Sequence, residues 1–461
     1  MKRSGKFKVL ALLMVLILVF SLAACGGGGG DDPTPTPAPP TTPGPDGGAN
    51  GNGGDEDFVP VNFQQGIDLD RRVIRIGSTY PTSGAMAVIG IPVIETIRAT
   101  FNRINANGGI NGFELELVHY DDQNNPADGQ ALLERLLEED QVYMVTFLSG
   151  HQVNTSMSYL VDFGIPVFYM ASGLFEAFDA GPNIFPMQPS FYEDGRTIAA
   201  RLVYDDIFGP NGDERLQPGE RIGVMHIGAA QGMQYLQGLE YQLRALDRWD
   251  DVVVVGIETT AAGHVEAAVQ MLADADVSVL VSFGTGVSAI QAAMSDIGLY
   301  VPHFTHYANS SPTAWPAEFY HPDRPIFSTG WADYTDPRAY AGIELFFYTM
   351  ENYSGLSQRE IEELQHDYFA RAGFIAAMMI EQGLRRMAEN GNDWSWESLF
   401  AAMEQEPIVI ITGETVNYAN GRRLGIEVTG LGKIFPDPDN PGTMMSALHR
   451  PFLSLEQIMA Q

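Results

Sequence analysis

The apolar pattern between residues 73 and 123 predicts a unit of strand, loop, helix and strand. It begins with a short apolar run and ends where Phe113, Leu115 and Leu117 alternate with glutamates, which is typical of a half-buried strand. Between them, four apolar residues recur at helical spacing: Ile94, Ile97, Phe101 and Ile104. Two strands joined through a helix are parallel neighbours, so the loop after the first strand lies at the edge where open sheets bind ligands.

The alternation of strands and helices continues in two series, separated by a break at residues 182–189. Each series predicts one α/β lobe with a parallel sheet flanked by helices. Helices predicted at 338–390 and 396–405 follow the second series, and β-like segments at 408–412 and 424–428 follow these. The remaining predicted strands span residues 142–147, 166–170, 222–227, 252–257, 277–283 and 303–307.

Short polar loops follow three strands of the first series, at residues 79–90, 148–152 and 171–173. The carboxyl ends of parallel strands meet at one edge of the sheet, so we expect these loops to converge there. Ser149 and Ser172 lie in two of them. We expect both to act as neutral hydrogen-bond donors, because the sequence places no base beside either serine.

The motifs that would indicate an enzyme or a metalloprotein are incomplete. Gly284-Thr285-Gly286 follows a strand and opens a helix, as in a dinucleotide-binding loop, but no acidic residue ends the next strand. Asp121 and Asp122 have no His or Glu after them at ligand spacing, which favours a solvated loop with a capping role. The nine histidines are scattered, and neither GxSxG nor a P-loop occurs. No metal and no cofactor are therefore predicted.

Residues 1–24 are predicted to be a lipoprotein signal peptide. Basic residues precede an apolar run at 9–20, which is too short for a comfortable membrane span. Leu-Ala-Ala-Cys follows at 22–25 and resembles the lipobox of bacterial lipoproteins, in which the cysteine is lipidated. Residues 25–70 are rich in Gly and Pro and predict a disordered tether. The sequence thus predicts an extracytoplasmic protein anchored to the cell membrane through Cys25; an ordinary signal peptide with a chance cysteine is the alternative.

The chain is strongly acidic, with 26 basic and 58 acidic residues and a formal charge of −32. The signal peptide contains four of the basic residues and no acidic residue, so the remainder carries −36, with Lys433 as its single lysine. Such a surface repels nucleic acid and anionic lipid, which excludes both as expected partners.

Four stretches carry a family resemblance. INANGGINGFELELVHYDDQNNP at 104–126 is preceded by IGSTYPTSG at 76–84, and GIPVFYMAS and PNIFPMQPSFYEDGR follow at 164–172 and 182–196. Together they resemble the Leu/Ile/Val-binding family of extracellular solute receptors that serve ABC transporters, over residues 73–431. The resemblance implies a two-lobed type I periplasmic-binding fold in which three chain crossings act as hinges between the lobes.

By this resemblance the crossings fall near Pro189, Trp331 and Ile410. The N-lobe would comprise residues 71–190 plus 332–409, and the C-lobe residues 191–331 plus 410–461.

The expected ligand-binding residues follow the same loops, together with aromatic residues at strand ends. They are Tyr80, Ser83, Ser149, Gly150, His151, Gln152, Ala171, Ser172, Gly173, Gln231 and Tyr307. Gly173 stands where the family has a threonine, and Ala308 where amino-acid-binding members have the acid for the ligand ammonium. Both departures argue against a plain α-amino acid. Asp333 is the nearest substitute acid, and Glu258 is less favoured.

These features together predict a receptor that captures a small polar metabolite, such as an amino acid, an amide or a related compound, between two lobes. It would deliver the ligand to an ABC permease and would not be an enzyme. A sensing subunit that signals by lobe closure is the first alternative, and an enzyme that uses the same cleft is the second.

Overall fold

The computed structural model of the protein describes residues 58–209, 212–259, 261–284, 286–332, 340–365 and 367–461. The predicted signal peptide, most of the tether, Cys25 and Asp333 lie outside the described residues.

The first sheet is built from the strands of the first βα series. Its strands are β1 (Ile67–Asp68), β2 (Val73–Thr79), β3 (Glu114–Tyr120), β4 (Met144–Leu148), β5 (Val167–Phe168) and β6 (Ile184–Phe185). They lie in the order β1-β2-β4-β5-β6, and β3 also pairs with β2. The pairing is parallel except at β1, as expected where helices connect the strands.

The second sheet has seven strands. They are β7 (Arg221–Ile227), β8 (Val252–Ile257), β9 (Val277–Phe283), β10 (His303–Thr305), β11 (Ile326–Gly330), β14 (Val428–Pro436) and β15 (Met444–Ser454), in the order β15-β14-β11-β10-β9-β7-β8. Two short strands, β12 (Ile408–Val409) and β13 (Thr415–Val416), form a separate hairpin.

Helices connect the strands and cover the sheets. They are α1 (Ala87–Ala106), α2 (Pro126–Glu138), α3 (Gln152–Phe163), α4 (Phe191–Tyr204), α5 (Ala230–Ala245), α6 (Ala262–Asp274), α7 (Val287–Ile297), α8 (Tyr340–Tyr353), α9 (Gln358–Gln365), α10 (Tyr368–Glu389), α11 (Trp396–Gln405) and α12 (Leu455–Met459). Helix α10 packs on α1 and on strands β4 and β5, so the chain after β11 returns to the first sheet. The α/β architecture with two sheets is confirmed.

Helix α1 combines a long apolar sequence with burial in the protein. Residues 84–106 are apolar and long enough to cross a membrane by length and composition. Its apolar stripe, which includes Ile94, Ile97, Phe101 and Ile104, is buried against α8, α10 and β3. This burial in the core accounts for its apolar composition.

Residues 58–70, the end of the predicted tether, pack on the first sheet and its helices. Phe58 contacts the ring of Trp394, and the N–H of Val61 donates to the carbonyl of Asn392 at 2.6 Å. The side-chain amide of Gln65 donates to the carbonyl groups of Leu137 and Val142, both at 3.1 Å. The folded body therefore begins before the predicted boundary.

The carboxyl-terminal strands differ from the sequence prediction. Only residues 424–428 were expected to be β-like, but β14 and β15 form a long antiparallel hairpin at the edge of the second sheet. Gly430 and Gly432 interrupt the apolar alternation of β14, and the pairing register shifts at this point. The second sheet is therefore mixed rather than parallel throughout.

Candidate functional site

The three predicted ligand loops of the first sheet converge at the carboxyl ends of β2, β4 and β5. The N–H of Ser149 donates to the carbonyl of Thr79 at 3.1 Å, and the N–H of Ala171 donates to that of Leu148 at 3.3 Å. Gly150 lies against the next loop, because a Cβ on it would be 3.3 Å from the carbonyl oxygen of Ala171. The predicted convergence of these loops is confirmed.

A bulge in β4 sets the direction of the Ser149 side chain. Gly77 pairs with Val145 but Thr79 pairs with Leu148, so β4 has one extra residue opposite β2. Phe147 lies in this bulge with φ 44°, a left-handed conformation that is unusual for a bulky residue. The hydroxyl of Ser78 donates to the carbonyl of Phe147 at 3.0 Å and holds the bulge in place.

Ser149 presents an unpaired hydroxyl at the start of helix α3. Its side chain is buried, and the Oγ atom has no hydrogen-bond partner among the residues that the structure describes. Helix α3 begins three residues later, so its N-terminal end carries the partial positive charge that attracts anions. A buried hydroxyl beside a helix N-terminus suits a carboxylate.

Gln152 and His151 differ in how far the protein already uses their side chains. The amide of Gln152 accepts a hydrogen bond from Thr79 Oγ1 at 2.9 Å and donates to the Gly129 carbonyl at 2.8 Å, so it ties α3 to its neighbours. The Nε2 atom of His151 lies 3.3 Å from Oδ2 of buried Asp122, but neither atom has a well-aligned hydrogen bond. Gln152 is therefore a structural residue, whereas the His151 ring lies against Gly129 and Asp122 without a well-aligned hydrogen bond.

Asp121 and Asp122 hold the turn before α2, but the predicted solvated loop with a capping role is wrong, because Asn125 caps the helix and Asp122 is buried. Asp121 accepts hydrogen bonds from the N–H groups of Thr82 and Gln123, and Asp122 accepts one from Asn124. Burial acts to raise the pKa of Asp121, but hydrogen bonds from Ser83, Thr82 and Gln123 outweigh it and hold the pKa below its usual value. Ser83 itself is exposed, and its hydroxyl is engaged by this carboxylate.

Gly173 allows the two sheets to approach each other closely. A Cβ at this position would lie 2.5 Å from the hydroxyl oxygen of Tyr307 and 3.0 Å from the ring of Phe191. The N–H of Phe191 donates to the Gly173 carbonyl at 2.8 Å. Ring atoms therefore fill the space that a threonine side chain would need. The adjacent Ser172 hydroxyl accepts a hydrogen bond from the N–H of Leu174 at 3.2 Å.

Tyr307 and Gln231, the two ligand-binding residues predicted in the second lobe, differ in their surroundings. The Tyr307 hydroxyl donates to the Pro189 carbonyl and accepts from Gln188 Nε2, both at 3.0 Å. Both hydrogen bonds are made to residues near the predicted chain crossing at Pro189, so only the ring of Tyr307 faces the loops. Gln231 is half-buried in the first turn of α5. One turn further on, Gln234 rather than Gln231 accepts a hydrogen bond from the N–H of Phe175, at 2.8 Å.

Sequence reasoning missed most of an arc of six buried aromatic residues at this edge. We call it the aromatic arc; its members are Tyr80, Phe147, Tyr169, Trp331, Tyr368 and Tyr307. Tyr169 directly follows β5 and, like Phe147, has a left-handed backbone, with φ 55°. Two strained bulky residues at adjacent strand ends are typical of a functional site. Aromatic residues at strand ends are the only sequence signal for the arc, and on that signal we predicted Tyr80 and Tyr307.

Asp194 is a second residue that the sequence analysis missed. It lies in the first turn of α4 and is buried. Burial raises its pKa to about 7, although the nearby Thr329 hydroxyl and Tyr307 N–H act to lower it. Neither neighbour forms a well-aligned hydrogen bond to the carboxyl group.

A buried Ser–His pair in the second sheet is not a nucleophile and base. Ser282 Oγ lies 2.7 Å from His303 Nε2, and the Gln291 amide donates to the other ring nitrogen at 2.7 Å. The imidazole proton is therefore on Nε2 and points at the serine, so the ring cannot accept the serine proton. Burial lowers the pKa of His303 to about 3. Among the described residues, no group of three or more His, Cys, Asp or Glu side chains is placed to hold a metal.

The chain is similar to known proteins in both sequence and fold. The family model described as periplasmic binding protein matches residues 73–425. Leu/Ile/Val-binding protein homolog 7 of Brucella suis biovar 1 (strain 1330) is 35% identical over 134 residues, which is 28% of this chain and 33% of that protein. The chain thus spans about a third of the length of the curated relatives it matches.

Two solved structures share the fold over most of both chains. One is a solute binding protein of an ABC transporter from Rhodopseudomonas palustris BisB5 in complex with 3,4-dihydroxy benzoic acid, with a TM-score of 0.66, 13% identity, and coverage of 83% of this chain and 98% of that one. The other is a branched chain amino acid ABC transporter protein from Thermus thermophilus with bound valine, with a TM-score of 0.65, 16% identity, and coverage of 83% and 97%.

The raised pKa of Asp194 predicts a specific pH dependence of stability. Between pH 3.8, the pKa of this aspartate in the unfolded chain, and about pH 7, the native state holds a proton that the unfolded state has lost. The stability that the protonated carboxyl contributes is therefore full below pH 3.8 and is lost as the pH rises to about 7. From pH 5 to 8, the free energy of unfolding of wild type should fall by about 3 kcal/mol relative to Asp194→Asn.

Urea unfolding of both proteins at the two pH values measures this difference. Glu193→Gln, which removes an exposed acid on the same helix turn, is the control and should follow the wild-type profile. A pH dependence of Asp194→Asn equal to that of wild type would contradict the assignment.

Proposed function

The chain belongs to the periplasmic binding protein family and has its type I fold, and on this premise we propose that it is an extracytoplasmic solute-binding lipoprotein of an ABC transporter. It captures a small polar metabolite, such as an amino acid, an amide or a related compound, between two lobes and delivers it to the permease. The chemistry is binding alone, through convergent donors in a cleft that closes and excludes water.

The unpaired hydroxyl of Ser149 is the observation that carries this proposal. It is buried at the loops where the family resemblance expects a ligand, beside the N-terminus of α3. An unsatisfied buried hydroxyl costs free energy unless a partner arrives, and a ligand carboxylate provides one. The two structural relatives named above are described with valine and 3,4-dihydroxy benzoic acid, both of which carry a carboxyl group.

The proposed lobes are residues 71–190 plus 332–409 and residues 191–331 plus 410–461, with hinges near Pro189, Trp331 and Ile410. Membership of the two sheets supports this division, because β2–β6 and β7–β11 are sequential and the β14–β15 hairpin joins the second sheet. Hydrogen bonds at the proposed crossings also support this division. Thr412 Oγ1 donates to the Trp331 carbonyl at 3.5 Å, which joins two crossings, and the Tyr307 hydroxyl of the second lobe donates to the carbonyl of Pro189 at the third.

The second sheet offers little to a ligand ammonium. Its strand-end loops at 228–233 and 308–312, with Gly284 and Gly286 between them, contain no Asp or Glu. Asp194 is buried on α4 and lies beside Thr329 and Tyr307. An unpaired buried ammonium costs several kcal/mol, so the proposed ligand is an amide, urea or carboxylate compound rather than leucine, isoleucine or valine. A diverged amino-acid site that uses Asp333 is the alternative.

We predict that leucine binds weakly and that carboxylates without an ammonium group bind better. Ser149→Ala should weaken carboxylate binding by about tenfold or more, because a hydrogen bond to a charged group contributes about 1.5–3 kcal/mol. A thermal-shift panel reports this, since ligand at about 100 times its dissociation constant adds about 2.7 kcal/mol of stability.

Ser158→Ala, which changes an exposed serine on helix α3, is the matched control and should keep wild-type affinity. The proposal for Ser149 fails if carboxylate binding is equal in the two variants. A clear shift with leucine that persists in Asp333→Asn would contradict the argument about ligand charge.

Lipidation of Cys25 is predicted to hold the protein on the outer face of a membrane. Wild type should fractionate with membranes and carry lipid mass on its N-terminal peptide, whereas Cys25→Ala should be released or remain an unprocessed precursor. Mass spectrometry and fractionation measure both. A soluble wild-type protein whose N-terminal peptide carries no lipid would show that the anchor is absent.

A further inference from the structure

The aromatic arc runs without a break from the first sheet to the second. Its successive ring centroids, from Tyr80 to Tyr307, are 5.3, 4.5, 5.9, 6.0 and 6.3 Å apart. Four of the five pairs have interplanar angles of 80–86°. This edge-to-face arrangement is a favourable geometry for aromatic pairs.

The arc crosses from one proposed lobe to the other at three contacts, Tyr169–Trp331, Trp331–Tyr368 and Tyr368–Tyr307. Tyr169 follows β5 of the first sheet and contacts Trp331, which follows β11 of the second. Tyr368 begins α10, which packs on the first sheet, and contacts Tyr307 after β10. Opening the lobes at these contacts would leave rings on both sides without their aromatic partners.

The hydroxyl and indole groups of the arc are mostly used within the protein. Trp331 Nε1 donates to the Tyr368 hydroxyl at 3.0 Å, and the Tyr307 hydroxyl is bonded to Pro189 and Gln188. Burial raises the pKa of these tyrosines, so their hydroxyls stay neutral. The rings cover one another in this structure, and only where the inter-lobe contacts separate does the arc present apolar ring surface, rather than charge, to a ligand.

The edge-to-face pattern favours a ring over a cation as the guest. A cation binds over open aromatic faces, whereas perpendicular neighbours cover faces in four of the five pairs. A flat aromatic ring can take the place of a neighbour and continue the pattern. An aliphatic ring of the same size gains contact area but has no π system.

The carboxylate donor and the arc are close enough for one small molecule. Phe147 of the arc precedes Ser149 by two residues, and two residues span at most about 7 Å. This is about the length of a benzene ring that carries a carboxyl group. We propose that, within the receptor function proposed above, the ligand class is the aromatic carboxylic acids, with the carboxylate at Ser149 and the ring in the aromatic arc.

Calorimetric titration of the full protein with benzoate and with cyclohexanecarboxylate tests this inference. The two probes share the carboxylate and the ring size and differ in aromaticity. We expect benzoate to bind about tenfold more tightly, as aromatic contacts add to area burial. Tyr368→Phe should keep this preference, and Tyr368→Leu should reduce it severalfold.

Tyr143→Leu is the control for loss of a buried tyrosine. It changes a residue at the amino end of β4, remote from the ligand loops, and should keep the preference for benzoate. Because the preference is a ratio measured on one protein, a general loss of stability does not imitate the predicted change.

Three outcomes would overturn the inference. Equal affinities for the two probes, lost together in Ser149→Ala, would leave the receptor function standing but exclude the aromatic class. Glycine betaine bound more tightly than benzoate would identify the arc as a cation site. Failure of both carboxylates to bind would reject the aromatic class and also the carboxylate site at Ser149.

Discussion

One extra residue in β4 determines the geometry of the candidate site. The bulge opposite Ser78 turns Phe147 into a left-handed conformation and lets Ser149 reach the Thr79 carbonyl with its backbone N–H. The Ser149 hydroxyl is thereby left unpaired beside the N-terminus of α3, and the Phe147 ring is placed against Tyr80 and Tyr169. Without the bulge the next side chains of the strand would point to the opposite faces of the sheet.

The sequence predicted the parts of the fold that depend on local periodicity. The βα series and the convergence of the strand-end loops follow from apolar spacing and from parallel pairing. The β14–β15 hairpin was missed because Gly430 and Gly432 interrupt the alternation that marks a strand. The packing of residues 58–70 was missed because the tether was extended to residue 70, although this stretch contains six apolar residues and differs from the Gly- and Pro-rich sequence before it.

The site was predicted less completely, because burial and backbone strain depend on tertiary contacts. The sequence around Asp194 indicates an ordinary acid in a first helical turn, and only its tertiary position beside Thr329 and Tyr307 reveals its burial. The left-handed backbone of Phe147 and Tyr169 contradicts local preference, so no sequence pattern indicates it. Gly173, in contrast, was identified through the family resemblance as a departure from threonine. Its close contact with Tyr307 explains why a larger side chain does not fit there.

The central claim is that two lobes close over a small ligand without chemical change. Small-angle X-ray scattering tests it most directly, with and without the carboxylate that binds best. We expect the radius of gyration to fall at saturation, because only the closed state contacts the ligand from both sides, and the compound to be recovered intact. An unchanged scattering profile at saturation, or conversion of the compound, would contradict the account.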